Sequence, residues 1–139
     1  MFAYVVRLPV LRTRPGVCDH EVVTRVLIAD DHPSFRASAR ELLEDEGFDV
    51  CGETADGAGT LAAVARLLPD VVLLDIQLPD MTGFDVCRAL AQHNGSHPKV
   101  ILVSSRDAAD YGDLIPSSCA CGFVPKAELS GEAVAALLG

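Results

Sequence analysis

Short apolar runs alternate along this chain with longer stretches in which apolar residues recur at helical spacing. Val23–Ala29 is read as a first strand, and a helix is expected from Pro33, a residue suited to a first helical position, up to Gly47. Phe35, Ala39, Leu42 and Leu43 form the apolar stripe of that helix. Phe48–Glu53 is the second strand. A second helix starts after Asp56-Gly57, buries Leu61, Val64, Ala65 and Leu68, and stops at Pro69. Val71–Leu74 is a third strand that runs into Asp75. The loop Ile76–Thr82 then leads to a third helix with Phe84, Cys87, Leu90 and Ala91 inward. Asn94-Gly95-Ser96 reads as a turn, and Val100–Val103 as the fourth strand. A weak fourth helix carries Ala108, Tyr111, Leu114 and Ile115, confined to about two turns by Gly112 and Pro116. Gly122–Val124 is a fifth strand, and a short helix from Ser130 to Leu138 closes the chain.

Strands alternating with helices of this length imply right-handed crossovers and a doubly wound α/β fold, with helices on both faces of a parallel sheet. The expected architecture is a single domain at residues 23–139 with a five-stranded sheet in the flavodoxin-like order 2-1-3-4-5, an order taken from precedent. Residues 1–22 are read as a loosely ordered extension. Their apolar start is interrupted by Arg7 and Pro9, is too short to span a bilayer, and precedes its charges, the reverse of a secretory signal.

Composition narrows the partners. The chain has 139 residues, enough to bury a core without staples, and a formal net charge of −9. Four of its arginines, Arg7, Arg12, Arg14 and Arg25, lie within the first 25 residues, so the body that follows is strongly acidic. Phosphate binding needs cationic patches, so direct contact with nucleic acid or anionic lipid is not expected. Five cysteines, an odd number, with no secretion signal, point to reduced thiols in the cytoplasm. Cys51 and Cys87 fall in apolar patterns. Cys119-Ala-Cys121 lacks the spacer of a zinc or redox pair.

The chemistry gathers where strands end. Asp30 and Asp31 follow the first strand and Asp75 closes the third. Parallel strands deliver their last residues to one edge, which here is also the topological switch point between strands one and three. Ionised carboxylates about 5 Å apart repel by about 3 kcal/mol at an effective dielectric of about 20, so such a cluster calls for a divalent cation, a proton or a cationic ligand. Ser104 ends the fourth strand and Lys126 follows the fifth, adding a hydroxyl and an ammonium group to the same edge. Mg²⁺ prefers carboxylate, carbonyl and water oxygens, and a lysine can hold a tetrahedral anion as a point charge. This inventory suits phosphoryl transfer onto a carboxylate. His32 beside the acids is read as a solvent-facing helix start.

In these residues the chain resembles the receiver domains of two-component response regulators, over about residues 24–138. The resemblance is carried by Val26-Leu27-Ile28-Ala29-Asp30-Asp31, by Leu73-Leu74-Asp75-Ile76-Gln77-Leu78-Pro79-Asp80-Met81-Thr82-Gly83, by Leu102-Val103-Ser104-Ser105 and by Gly122-Phe123-Val124-Pro125-Lys126. The wording is closest to receivers that precede a helix-turn-helix of the LuxR type. The resemblance implies that Asp75 accepts phosphate from the phosphohistidine of a sensor histidine kinase. It implies Mg²⁺ held by Asp31, Asp75 and the backbone carbonyl of Gln77, with Asp30 acting mainly through a metal-bound water. Ser104 would follow the phosphoryl oxygen and Lys126 would pair with it. Phe123 matches the aromatic position of the switch, and Gln77 and Arg106 match two positions that tune how long the phosphoryl group persists.

The segment Pro116–Ala120 departs from the family by replacing part of a longer fourth helix, and the fifth helix is short. Because no output domain follows Gly139, the expectation is a stand-alone receiver, monomeric or forming a weak phosphorylation-dependent homodimer, that self-catalyses phosphoryl transfer and signals to protein partners. Two alternatives stay open: a receiver-like binding module that does not use phosphorylation, and the receiver remnant of a DNA-binding regulator. A haloacid-dehalogenase-type phosphatase is set aside because Gln77 stands where that chemistry needs a second aspartate.

Overall fold

A computed structural model of the chain describes residues 23–92 and 97–139. The expected N-terminal extension and the expected turn at Asn94-Gly95-Ser96 lie outside the described residues. In order, the elements are β1 (Arg25–Ala29), α1 (Pro33–Asp45), β2 (Asp49–Thr54), α2 (Gly57–Leu67), β3 (Val71–Asp75), α3 (Gly83–Ala91), β4 (Lys99–Ser104), a 3-10 segment (Ala108–Leu114), β5 (Gly122–Pro125), a 3-10 turn (Lys126–Glu128) and α4 (Gly131–Leu138). All strand pairs are parallel, in the order β2-β1-β3-β4-β5.

Covering both faces of the sheet explains why its strands are apolar without alternation. Side chains of a strand point alternately to opposite faces. On β3, Val71 and Leu73 therefore join the core beneath α1 and α4, whereas Val72 and Leu74 join the core beneath α2 and α3. The same division runs through β1, where Val26 and Ile28 face one layer and Leu27 and Ala29 the other. Cys87 is buried in the second core as a small hydrophobe; burial and the neighbouring Cys119 thiol push its own thiol up to about 12. Cys51, Cys87, Cys119 and Cys121 are all free thiols.

Helix boundaries follow local chemistry. Pro33 opens α1, and Gly47 leaves it with φ +94°, the left-handed region glycine tolerates. Asp56 caps α2 by accepting from the Gly59 N–H, and Thr82 and Asp85 form a reciprocal capping box on α3. Some expected stripes are rotated. In α2, Gly57, Thr60 and Ala63 face the sheet, Leu61 and Val64 are half-buried, and Ala65 is exposed. Leu68 is 64% exposed because it ends the helix in a left-handed conformation, φ 50°. In α3, Val86 is buried and Ala91 exposed. The fourth helical stretch is a 3-10 segment with no buried residue, broken at Gly112 (φ 56°, ψ −125°).

The contact that most constrains the site lies at Gly83. A Cβ at Gly83 would sit 2.6 Å from the Asp75 carbonyl oxygen and 2.9 Å from the Ile76 Cα, both unyielding backbone atoms. Its N–H donates to the Ile76 carbonyl at 2.7 Å, so α3 begins directly against the end of β3. Overpacking of this kind typically costs about 1–3 kcal/mol. Gly83→Ala should lower stability by about that much, read as a lower urea midpoint with unchanged slope; a wild-type midpoint would show that the loop adjusts freely.

Candidate functional site

The carboxyl edge of the sheet carries an open crevice of about 320 Å³ lined by Asp31, His32, Asp75, Gln77, Leu78, Pro79, Ser105 and Lys126. Asp30 directly follows β1 and is fully buried; its N–H donates to the Thr54 carbonyl and its carbonyl accepts from the Arg36 guanidinium at 2.6 Å. Asp31, one residue on, is exposed. β3 ends in Asp75, 3% exposed, whose Oδ1 accepts from the Gln77 N–H at 3.1 Å. From the turn after β5, Lys126 Nζ reaches Asp30 Oδ2 at 2.5 Å and Asp75 Oδ2 at 3.3 Å, lying 4.6 Å above the Phe35 ring. Three separate strand ends therefore meet at one ammonium group.

The charge does not balance. One lysine faces two buried carboxylates, with Asp31 beside them. Burial pushes the Asp75 carboxyl above the ordinary aspartate range and the Asp30 charge adds to the rise, while the Gln77 N–H and Lys126 oppose it. His32 supplies a further positive group when protonated: its Nδ1 lies 3.0 Å from Asp30 Oδ1 and 3.1 Å from Asp31 Oδ1. It caps α1 and is exposed, as a helix start should be, but its ring also contacts both acids.

A divalent cation fits this donor set. Asp30, Asp31, His32 and Asp75 each offer a ligand atom, all within 4.8 Å of one another. Asp30 Oδ2, though close to Lys126, accepts no well-directed hydrogen bond and is buried. Three carboxylates suit a hard oxygen-seeking ion such as Mg²⁺.

The edge thus gathers Asp30, Asp31, Asp75, Gln77 and Lys126. Ser104, at the end of β4, is buried, with Oγ 2.6 Å from the Tyr111 hydroxyl and accepting from the Arg106 N–H at 3.0 Å. Ser105, rather than Ser104, lines the crevice. Arg106 is exposed and engages Ser104 through its backbone N–H. Phe123, half-buried on β5, meets Tyr111 edge-on at 6.4 Å between ring centroids. Sequence reasoning passed over Asp80, whose carboxylate accepts from the Gly57 and Ala58 N–H groups at 2.7 and 3.0 Å. These bonds hold its pKa down and tie the loop after Asp75 to the start of α2. The signal was present: an acid in a loop whose neighbour in the fold is a helix N-terminus.

Residues 26–137 match the model of the response regulator receiver domain family. The chain is a receiver domain of that family. It is 44% identical over 86 residues to the DNA-binding response regulator MtrA of Mycolicibacterium smegmatis, covering 62% of this chain and 37% of MtrA. To the positive transcription regulator of virulence factors BvgA of Bordetella pertussis it is 37% identical over 110 residues, covering 79% of this chain and 52% of BvgA. The chain thus spans about half or less of the curated relatives it matches. Among solved structures, the signal receiver domain of the response regulator NarL from Mycobacterium tuberculosis superposes with a TM-score of 0.71 at 32% identity, covering 84% of this chain and 98% of that one. Receiver domains of response regulators are phosphorylated by histidine kinases and generally bind Mg²⁺. Among the described residues, no helix is long and apolar enough to cross a membrane.

The raised pKa of Asp75 has a signed consequence. The folded chain binds the Asp75 proton more tightly than the unfolded chain does, so this group favours folding at acid pH. That contribution is lost as the pH rises from the ordinary aspartate range into the raised one. In chelator at neutral pH, Asp75→Asn should melt at a higher temperature than wild type, and the gap should close as the pH falls through the carboxylate range. A variant that melts lower at neutral pH would contradict this electrostatic account.

Proposed function

We propose that Asp75 is the phosphoacceptor of this receiver domain and that a sensor histidine kinase is its donor. The observation that carries the reading is the position of the Asp75 carboxylate: it ends a buried strand, opens onto the crevice, and lies between an acidic cluster and the Lys126 ammonium. In the transfer, an Asp75 carboxylate oxygen bonds to phosphorus as the bond from phosphorus to the kinase histidine nitrogen breaks, and the imidazole leaves. Asp30, Asp31 and Asp75, with the Gln77 carbonyl, would hold Mg²⁺, which when bound offsets the charge of the phosphoryl oxygens. The Gln77 N–H fixes the Asp75 rotamer, and Lys126 exchanges part of its pairing with Asp75 for the incoming phosphoryl oxygens. Ser104 follows the phosphoryl group after transfer, and Phe123 moves with it. Gln77 and Arg106 set the lifetime of the acyl phosphate.

The signal leaves the domain through protein contacts of the face formed by β5, α4 and the 3-10 segment, in the cytoplasm. The acidic body fits a role in which this domain makes no direct contact with nucleic acid. MtrA is named as DNA-binding; in a longer protein of that kind, an output domain would read the same face.

Incubation with radiolabelled acetyl phosphate and Mg²⁺ should label wild-type protein and leave Asp75→Asn unlabelled. Label that survives in Asp75→Asn would place the acceptor elsewhere, and absence of label in wild type would favour a binding module without phosphorylation. Mg²⁺ at about 100 times its Kd should stabilise the fold by about 2.7 kcal/mol by mass action. Asp31→Ala should remove most of that gain in a thermal melt; an undiminished gain would exclude Asp31 from the ligand set.

A further inference from the structure

We propose that Tyr111 is the positioning residue for Ser104: its hydroxyl holds the Ser104 hydroxyl in reserve, and phosphorylation of Asp75 releases Tyr111 together with the 3-10 segment that bears it. The inference rests on the phosphoacceptor reading of Asp75.

Ser104 is 2% exposed, and its Oγ lies 2.6 Å from the Tyr111 hydroxyl. That oxygen also accepts the Arg106 N–H at 3.0 Å. A serine hydroxyl has a single proton to donate. The Arg106 N–H and the tyrosine hydroxyl hold this oxygen at its own strand end. The crevice is lined meanwhile by Ser105. For Ser104 to reach a phosphoryl oxygen on Asp75, its buried side chain must turn toward the crevice and away from Tyr111.

What Tyr111 would transmit follows from where it sits. Its ring is wedged edge-on between Phe84 of α3, at 6.0 Å, and Phe123 of β5, at 6.4 Å. The segment that carries it, Ala108–Leu114, has no buried residue, and Gly112 breaks its helical path immediately after Tyr111. Tyr111 and the nearby Ile115 are its half-buried attachments to the core of α2 and α3. Freeing the hydroxyl therefore loosens one of the few ties of a lightly packed segment, and it frees Phe123 from its aromatic neighbour in the same step.

The test uses the full chain. Tyr111→Phe keeps the ring and its packing and removes only the hydroxyl, so it should take label from acetyl phosphate and Mg²⁺ about 5-fold faster than wild type. In a Ser104→Ala background the same substitution should change the rate by less than about 2-fold, because the tyrosine acts through the serine. Tyr111→Ala, which also removes the ring, should lower the melting temperature where Tyr111→Phe leaves it within about 2 °C. The chain has two tyrosines and no tryptophan, so in a Tyr4→Phe background the fluorescence belongs to Tyr111 alone. That signal should change when acetyl phosphate and Mg²⁺ are added, and stay constant in Tyr4→Phe/Asp75→Asn. Wild-type labelling with an unchanged rate in Tyr111→Phe, or an effect that persists undiminished in Ser104→Ala, would overturn this assignment and leave Asp75 as acceptor. No label in wild type would overturn both.

Discussion

One ammonium group set against clustered carboxylates is the constraint on which this domain depends. Lys126 contacts Asp30 and Asp75, both buried, and can neutralise only one of them. Burying a charge without a partner costs several kcal/mol, so the fold tolerates this cluster only while a proton or a cation is available to complete it. The unmet need of the site and its chemistry are the same fact. A carboxylate cluster already neutralised by its own cationic side chains would have little reason to bind a metal.

The scaffold keeps that imbalance from relaxing. Asp30 is fixed at its N–H by β2 and at its carbonyl by Arg36, and Asp75 is fixed by the Gln77 N–H. Gly83 lets α3 press against the backbone just after Asp75, and the bonds from Asp80 to the start of α2 hold the far side of the same loop. The two acids cannot swing apart to reduce their repulsion without disturbing a strand end, a loop and two helix termini. The packed sheet below thus stabilises an arrangement that its charges alone would oppose.

Much of this was legible in the residues. The single sheet edge and the meeting of Asp30, Asp31, Asp75 and Lys126 follow from apolar runs that end in chemistry-bearing residues and from the rule that parallel strands deliver their ends together, whereas the strand order came from precedent. Less legible were features that depend on small rotations. The α2 stripe turned so that Gly57, Thr60 and Ala63 meet the sheet, because small residues allow close approach whereas Leu68 lies beyond the last helical residue. Ser104 and Ser105 illustrate the same limit. Both were visible at the end of β4, but successive residues there project to opposite sides, and a single position decides which hydroxyl meets the crevice. The contact of Tyr111 with Ser104 spans seven positions through an irregular segment, for which periodicity has no rule.

On the proposed reading, that irregular segment is also where the energies suit switching. A neutral hydrogen bond such as Ser104–Tyr111 contributes about 1 kcal/mol net, and a bond to a charged oxygen is roughly twice as strong. Moving the serine from tyrosine to phosphoryl oxygen is therefore favourable by an amount comparable to RT, which shifts a population without locking it. Had Ala108–Leu114 been a long helix with a buried stripe, several kcal/mol of packing would oppose its release, and one hydroxyl could not govern it. With no buried residue and a break at Gly112, the segment opposes that exchange weakly. The departures from regular helix in this part of the chain are thus consistent with control by a single hydrogen bond. On the proposed reading, the light packing of this segment would let a small chemical event at Asp75 reach it.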